Sequence, residues 1–188
     1  MGLVRNPGHA REVSEAGAAP VVVDLEQASR DQVAATLAGA DVAVFAAGSG
    51  RGSGPQRKVT VDRDAAVLLA DAATAAGVPR FVMVSPIAAD TFDPGATGDY
   101  QIFLRAKSDA DAYLRDSDLD WTIVRHGRLT DDPPTGLVTA ADEVPNASIP
   151  RADVAAVVAA VATTELASHR QFDLVAGETP ISRAVAAI

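Results

Sequence analysis

Short runs of consecutive apolar, often β-branched residues alternate along the chain with longer alanine-rich stretches. The runs PVVVDL (20–25), ADVAVFAAG (40–48), RFVMVSPI (80–87) and LDWTIVRHG (119–127) predict strands, and the segments near 27–38, 56–77, 103–116 and 151–166 predict helices. Strand and helix in turn imply a parallel sheet covered by helices on both sides, and strands that are apolar on both faces suit that burial. The sequence Gly77, Val78, Pro79 ends the long helix, as glycine followed by proline does. TFDPGATGD (91–99) predicts a surface loop, and the proline-rich stretch 128–150 predicts an excursion with one short strand at 136–140. No internal repeat is visible. The pattern is that of a single doubly wound α/β domain over residues 1–188.

Composition narrows the chemistry. At 188 residues and 48% hydrophobic content the chain can bury a substantial core and is not disordered. Its net charge of -9 disfavours nucleic acid or an anionic membrane surface as the main partner, because both select clustered positive charge. Without cysteine there is no disulfide framework, thiolate nucleophile or cysteine-held metal, and His9, His126 and His169 show no metal-ligand spacing. No apolar run reaches the roughly 20 residues that span a bilayer, and MGLVRNPGHA lacks the apolar core of a signal peptide, so the cytoplasm is the expected location. A small molecule is the expected ligand.

In open α/β sheets ligands bind beyond the C-terminal strand ends. Those ends carry Asp24, the stretch FAAGSGRGSG (45–54), Ser85 and RHGRLT (125–130). Gly48, Gly50, Gly52 and Gly54 let the backbone approach a ligand and expose amides to an anion ahead of a helix starting near Pro55; a mobile turn would use the same residues. The stretch is not the dinucleotide fingerprint, since it has no acidic residue placed to hold a ribose hydroxyl.

Taken together, LVRNP, VVVDL, DVAVFAAGSG, VDRDAAVLLADAATAAGVPRFVMVS, LRAKSDADAYLRDSDLDWTIVRHGRLTD and RADVAAVV…FDLVAGETPI resemble the atypical short-chain dehydrogenase/reductase family of NAD(P)H-binding, epimerase-like proteins. The resemblance covers nearly the whole chain and implies a Rossmann-like fold. It implies that Arg5 lies beside the adenosine ribose, where a guanidinium pairs with a 2′-phosphate and favours NADP(H) over NAD(H). The alternative is a solvated surface arginine. Asp24 and Leu25 match positions flanking the adenine, with a helix N-cap as the competing role for Asp24. Ala46, Ala47 and Gly48 match small residues that let the backbone pass the cofactor, and tight strand-helix packing would select them too. Ser85 corresponds to a serine that binds a substrate carbonyl, or else to a buried serine bonded to backbone. His126 and Gly127 fall where relatives usually read Arg-Pro-Gly at the nicotinamide end. Asp62 matches a polar residue that supports the site backbone.

The stretch YQIFLRAKSD (100–109) tests for the tyrosine-lysine pair that moves protons in this class, the lysine lowering the tyrosine pKa and binding the nicotinamide ribose. A spacing of four stacks two residues on one helix face, whereas Tyr100 and Lys107 are seven apart, roughly 10.5 Å along the axis, and Tyr100, following a loop rich in Gly and Asp, is expected to precede the helix. Phe103 stands four before Lys107 and has no proton to give. Lys107 keeps the expected ribose contact, against an exposed lysine paired with Asp111.

The family pattern opens with a strand, a glycine-rich phosphate loop and a helix, and this sequence starts at what resembles the end of the second strand. The chain therefore reads as N-terminally truncated, through a misassigned start or through loss of the site. The readings are an NADP(H)-dependent oxidoreductase or epimerase-like enzyme acting on an unidentified small molecule, a non-catalytic NADP(H)-binding sensor, and a remnant. An open sheet edge would favour a homo-oligomer.

Overall fold

The computed structural model describes residues 1–50, 52–164 and 166–188. Strands β1 (Gly2–Val4) and β2 (Pro20–Val22) form a parallel ribbon, joined through a 3-10 turn at Pro7–His9 and helix α1 (Ala10–Glu15). Helix α2 (Arg30–Leu37) starts at a capping box in which Ser29 and Gln32 satisfy each other's backbone amides. Strand β3 (Val42–Phe45) leads through the glycine-rich loop to α3 (Pro55–Arg57), a π-helical segment Lys58–Asp64, and α4 (Ala65–Ala76). The expected single helix over 56–77 is thus three consecutive pieces. It ends as expected, with Gly77 left-handed at φ 69°.

Strand β4 (Arg80–Pro86), helix α5 (Asp99–Arg115) and strand β5 (Asp120–His126) follow. The stretch from 128 to 150 holds three strands where one is expected: β6 (Arg128–Thr130), β7 (Leu137–Ala141) and β8 (Ser148–Pro150). Two of them are three residues long, too short for a visible alternation of side chains. The chain ends with α6 (Arg151–Ala162), β9 (Arg170–Ala176), β10 (Thr179–Pro180) and α7 (Ile181–Ala186). Helix α5 begins at Asp99, so Tyr100 sits in its first turn rather than ahead of it. Gly98 caps it with φ -69° and ψ 142°, with no side-chain oxygen to betray the boundary in the sequence.

The main sheet has the order β10-β7-β9-β5-β4-β3 and is parallel from β3 through β9, with β7 and β10 antiparallel at one edge. Side chains along the central strands alternate between two apolar clusters. Phe45, Phe81, Met83 and Ile123 pack with α2, α4 and α5, while Val82, Val124, Phe172 and Leu174 pack with α6 and α7. This is why the central stretches Phe81–Val84 and Ile123–Val124 are apolar on both faces.

The sheet is discontinuous on its other side. Among the described residues β1 pairs with β2 and not with β3, and a cavity of about 660 Å³ lies between them, lined by Leu3, Leu25, Phe45 and Leu69. Val44 on the free edge is 39% exposed. Among the described residues no helix is long and apolar enough to cross a membrane.

Candidate functional site

The C-terminal ends of β1, β2 and β3 open into a groove of about 360 Å³ whose walls include Arg5, Asp24, Leu25, Ala47 and Gly48. Residues from three separate stretches of sequence thus meet in one place, with Ala46 lining the adjoining cavity. Ala46, Ala47 and Gly48 present their surfaces to solvent there. Asp24 accepts a hydrogen bond from the Glu26 amide at 3.0 Å, closing a turn at the end of β2. It does not cap α2, where Ser29 takes that role. Leu25 packs partly buried against the core and keeps an edge in the groove.

Arg5 is not simply solvated. Its Nη1 donates to the Glu26 carboxylate at 3.1 Å, and Arg57 donates to the same carboxylate from Nη2 at 2.8 Å and from Nε at 3.2 Å. Thr60 adds its hydroxyl at 2.6 Å. The Arg57 hydrogen bond, followed by that of Thr60, holds the Glu26 carboxyl below its ordinary range, and partial burial opposes them. Glu26 and Arg57 escape the sequence reading because 31 positions separate them and no local pattern marks either.

The glycine-rich loop is tied down by the π-helical segment that follows it. Lys58 donates from Nζ to the Ser49 hydroxyl at 3.0 Å, the Gly50 carbonyl at 2.8 Å and the Ser53 hydroxyl at 3.2 Å. The Asp62 carboxylate accepts from the Ser49 amide at 3.3 Å. Gly50, Gly52 and Gly54 all take positive φ, which explains the glycine density. Arg51 in this stretch lies outside the described residues. A second cavity of about 560 Å³, lined by Lys58, Asp62, Tyr100 and Phe103, shares Gly48 and Ser49 with the groove. Single-turn π geometry often marks functional sites, because the extra residue re-aims side chains; here both Lys58 and Asp62 are buried under the loop.

Ser85 and Lys107 do not line the groove or the cavities but belong to a buried polar network at the ends of β4 and β5. Ser85, fully buried, donates its hydroxyl hydrogen to Asp111 at 2.7 Å, and Arg125 donates to the same oxygen from Nη2 at 3.1 Å. Lys107 is 3% exposed and donates to the Val84 carbonyl at 2.7 Å, with its ammonium 5.3 Å from the centre of the Phe45 ring. The picture of an exposed lysine on the helix surface is therefore corrected: α5 turns this side chain under the end of β4. Burial pushes the Lys107 pKa down and that of Asp111 up, against their mutual attraction. Tyr100, by contrast, is 61% exposed, so the two residues do not form a pair.

His126 donates from Nδ1 to the Gly127 carbonyl at 2.7 Å, which fixes the neutral tautomer with Nε2 free to accept. Burial lowers its pKa, opposed by that carbonyl and reinforced by the positive charges of Lys107 and Arg151. Gly127 is explained by close approach, since a Cβ there would lie 1.9 Å from the Ala147 carbonyl oxygen.

The sequence pattern of a family described as NAD(P)H-binding matches residues 1–165. The chain belongs to the NAD(P)H-binding family. This NAD(P)H-binding protein is 37% identical over 185 residues to the uncharacterised sugar epimerase YhfK of Bacillus subtilis, an alignment that covers 97% of this chain and 85% of YhfK. It is 33% identical over 178 residues to the UPF0659 protein YMR090W of Saccharomyces cerevisiae, covering 90% of this chain and 78% of that one. Among solved structures, a Bacillus halodurans protein classed as an NAD-dependent epimerase/dehydratase superposes with a TM-score of 0.89 at 33% identity, covering 99% of this chain and 86% of the other. The Rossmann-like, mostly parallel sheet expected from the sequence agrees with that neighbour.

Proposed function

We propose that this NAD(P)H-binding protein is an NADP(H)-dependent oxidoreductase or epimerase-like enzyme that acts on a small molecule in the cytoplasm. The observation that carries the reading is the convergence of Arg5, Asp24, Leu25 and Gly48 on one groove at the strand ends. Leu25 offers an apolar face to the adenine, Asp24 an acceptor for its amino group, and Arg5 a guanidinium for a phosphate on the ribose. Ala46, Ala47 and Gly48 let the main chain approach the sugar, and Gly127 with His126 borders the nicotinamide end. The bound cofactor would supply or remove a hydride. Ser85 would orient a substrate carbonyl and Lys107 the second ribose; each must exchange its present partner, Asp111 or the Val84 carbonyl, to do so.

A second reading, a non-catalytic NADP(H) sensor, is favoured by Phe103, which stands where a proton donor would be needed, and by the burial of Ser85 and Lys107. Titration with NADPH and NADH, followed by NADPH oxidation assays against quinones, flavins and small carbonyl compounds, separates the two. Micromolar or tighter NADPH binding with turnover of any acceptor supports the enzyme, and tight binding without turnover supports the sensor. Absence of binding to either nucleotide removes both. Lys107→Met is expected to weaken NADPH binding about tenfold, and because it also leaves the Val84 carbonyl without its donor and the buried Asp111 without a nearby positive charge, its melting temperature is measured beside its affinity.

A further inference from the structure

We infer that Glu26 and Arg57 set the choice between a phosphorylated and an unphosphorylated adenosine ribose, with Arg57 as the second arm of a phosphate clamp and Glu26 as the fixed counter-charge with which a phosphate must share the two arginines. This rests on the cofactor reading above.

The two guanidiniums approach one carboxylate from opposite elements, Arg5 from the end of β1 at 3.1 Å and Arg57 from α3 at 2.8 Å. Carboxylate and phosphate oxygens suit the same planar fork of donors, so the arrangement around Glu26 is also the arrangement that would grip a phosphate. The Arg5 side chain is 52% exposed and that of Arg57 31%, against 18% for Glu26, so each guanidinium keeps an open side while its present partner is largely covered. All three residues line the groove that holds Asp24 and Leu25.

Two positive charges and one negative leave the cluster at a net +1. A ribose hydroxyl would add nothing to that sum, whereas a 2′-phosphate brings close to two negative charges. Thr60 ties the carboxylate in place at 2.6 Å, so Glu26 cannot swing clear and stays near any phosphate bound between the arginines. Repulsion at such short range weakens a phosphate by on the order of tenfold even in a water-like medium. Glu26 therefore moderates a preference for NADP(H) that the arginines create.

The test titrates the full chain calorimetrically with adenosine 2′,5′-bisphosphate and adenosine 5′-monophosphate, then with NADPH and NADH, using the native protein, Glu26→Gln and Arg57→Ala. Glu26→Gln keeps the shape and the acceptor oxygen but removes the charge. It is expected to tighten the two 2′-phosphorylated ligands about tenfold and to leave the other two within twofold. Arg57→Ala is expected to loosen the 2′-phosphorylated pair about tenfold, again leaving the others within twofold. Equal shifts for both ligand classes, or no shift in either variant, would overturn the inference and leave the cofactor reading standing. Failure of the native chain to bind any of the four ligands would remove the cofactor reading and this inference together. Melting temperatures within a few degrees of native confirm that the variants compare like with like.

Discussion

Ser85 hands its hydroxyl hydrogen to Asp111 at 2.7 Å, and neither side chain reaches solvent. Asp111 also receives Arg125, whose Nη2 reaches on to Asp90 at 2.7 Å, while the Asp111 Oδ1 has no partner among the described residues. Helix α5 is thereby fastened to the ends of β4 and β5. Asp111→Ala strands a buried guanidinium with Asp90 as its remaining partner and is expected to cost about 3–5 kcal/mol. Ser85→Ala removes one neutral donor and is expected to cost about 1 kcal/mol. Urea denaturation of both variants checks this. A loss below about 1 kcal/mol for Asp111→Ala would mean that the network contributes nothing to holding α5.

Gly127 supplies a sharper steric test. A Cβ at this position would meet the Ala147 carbonyl oxygen at 1.9 Å and the carbon behind it at 3.0 Å, and both belong to main chain that cannot rotate away. Gly127→Ala is therefore expected to destabilise by about 3 kcal/mol or more, through displacement of the segment leading into β8. Gly95→Ala, where the nearest atom is a side-chain oxygen of Asp93 at 3.4 Å, is expected to stay within about 0.5 kcal/mol of native. Thermal melts of the two variants side by side decide the matter.

The parts of the fold that the sequence discloses are those where a single periodicity runs long enough. Strands β4 and β5 carry apolar residues on both faces because they lie between two helical layers, and α4 is closed by Gly77 and Pro79. The π-helical insertion leaves no such trace: its residues read as ordinary helix, yet the added residue per turn is associated with the burial of Lys58 and Asp62 beneath the glycine-rich loop. In the groove, Asp24 and Gly48 are legible because each follows a run that predicts a strand, while Arg5 and Leu25 are legible only through the family resemblance. Glu26 and Arg57 are not, since their relationship is made by the crossover through α2 and β3. The i,i+4 spacing of Lys107 and Asp111 suggests a surface pair, and only the packing of α5 on β4 turns both inward. Short-range pattern reports which face of an element is apolar and is silent about which polar side chains the topology brings together.

The Glu26 cluster makes a signed prediction for pH. Its carboxyl sits below the ordinary value of 4.5, chiefly because Arg57 and then Thr60 hydrogen-bond the ionised form. A carboxyl depressed by folding adds stability at pH values above its unfolded pKa and loses that contribution as pH falls through the folded value. The stability difference between the native chain and Glu26→Gln should accordingly be level above about pH 5 and shrink steadily below about pH 4.5. Denaturation midpoints measured from pH 7 down to pH 3 read this out. A difference that grows on acidification would show that the arginines do not favour the ionised form.

The break in the sheet predicts where the molecule opens first. The β1-β2 ribbon shares no backbone ladder with β3 among the described residues and faces it across about 660 Å³, whereas β4 is bonded to a neighbour on each side. Local opening of the ribbon therefore exposes few hydrogen bonds and little packed surface, while opening β4 or β5 disrupts both apolar clusters. Deuterium exchange should run fastest, among strand amides, in Gly2–Val4 and Pro20–Val22 and slowest in Arg80–Pro86 and Asp120–His126. The groove spans this same divide, with Arg5 and Asp24 on the ribbon side and Gly48 on the side of the main sheet. A ligand held there ties the two parts together, and at 100 times its dissociation constant it stabilises the closed form by about 2.7 kcal/mol, equivalent to roughly a hundredfold slowing of exchange. NADPH is thus expected to slow exchange in β1 and β2 far more than in β4. Uniform slowing, or slowing confined to β4 and β5, would place the nucleotide elsewhere on the molecule.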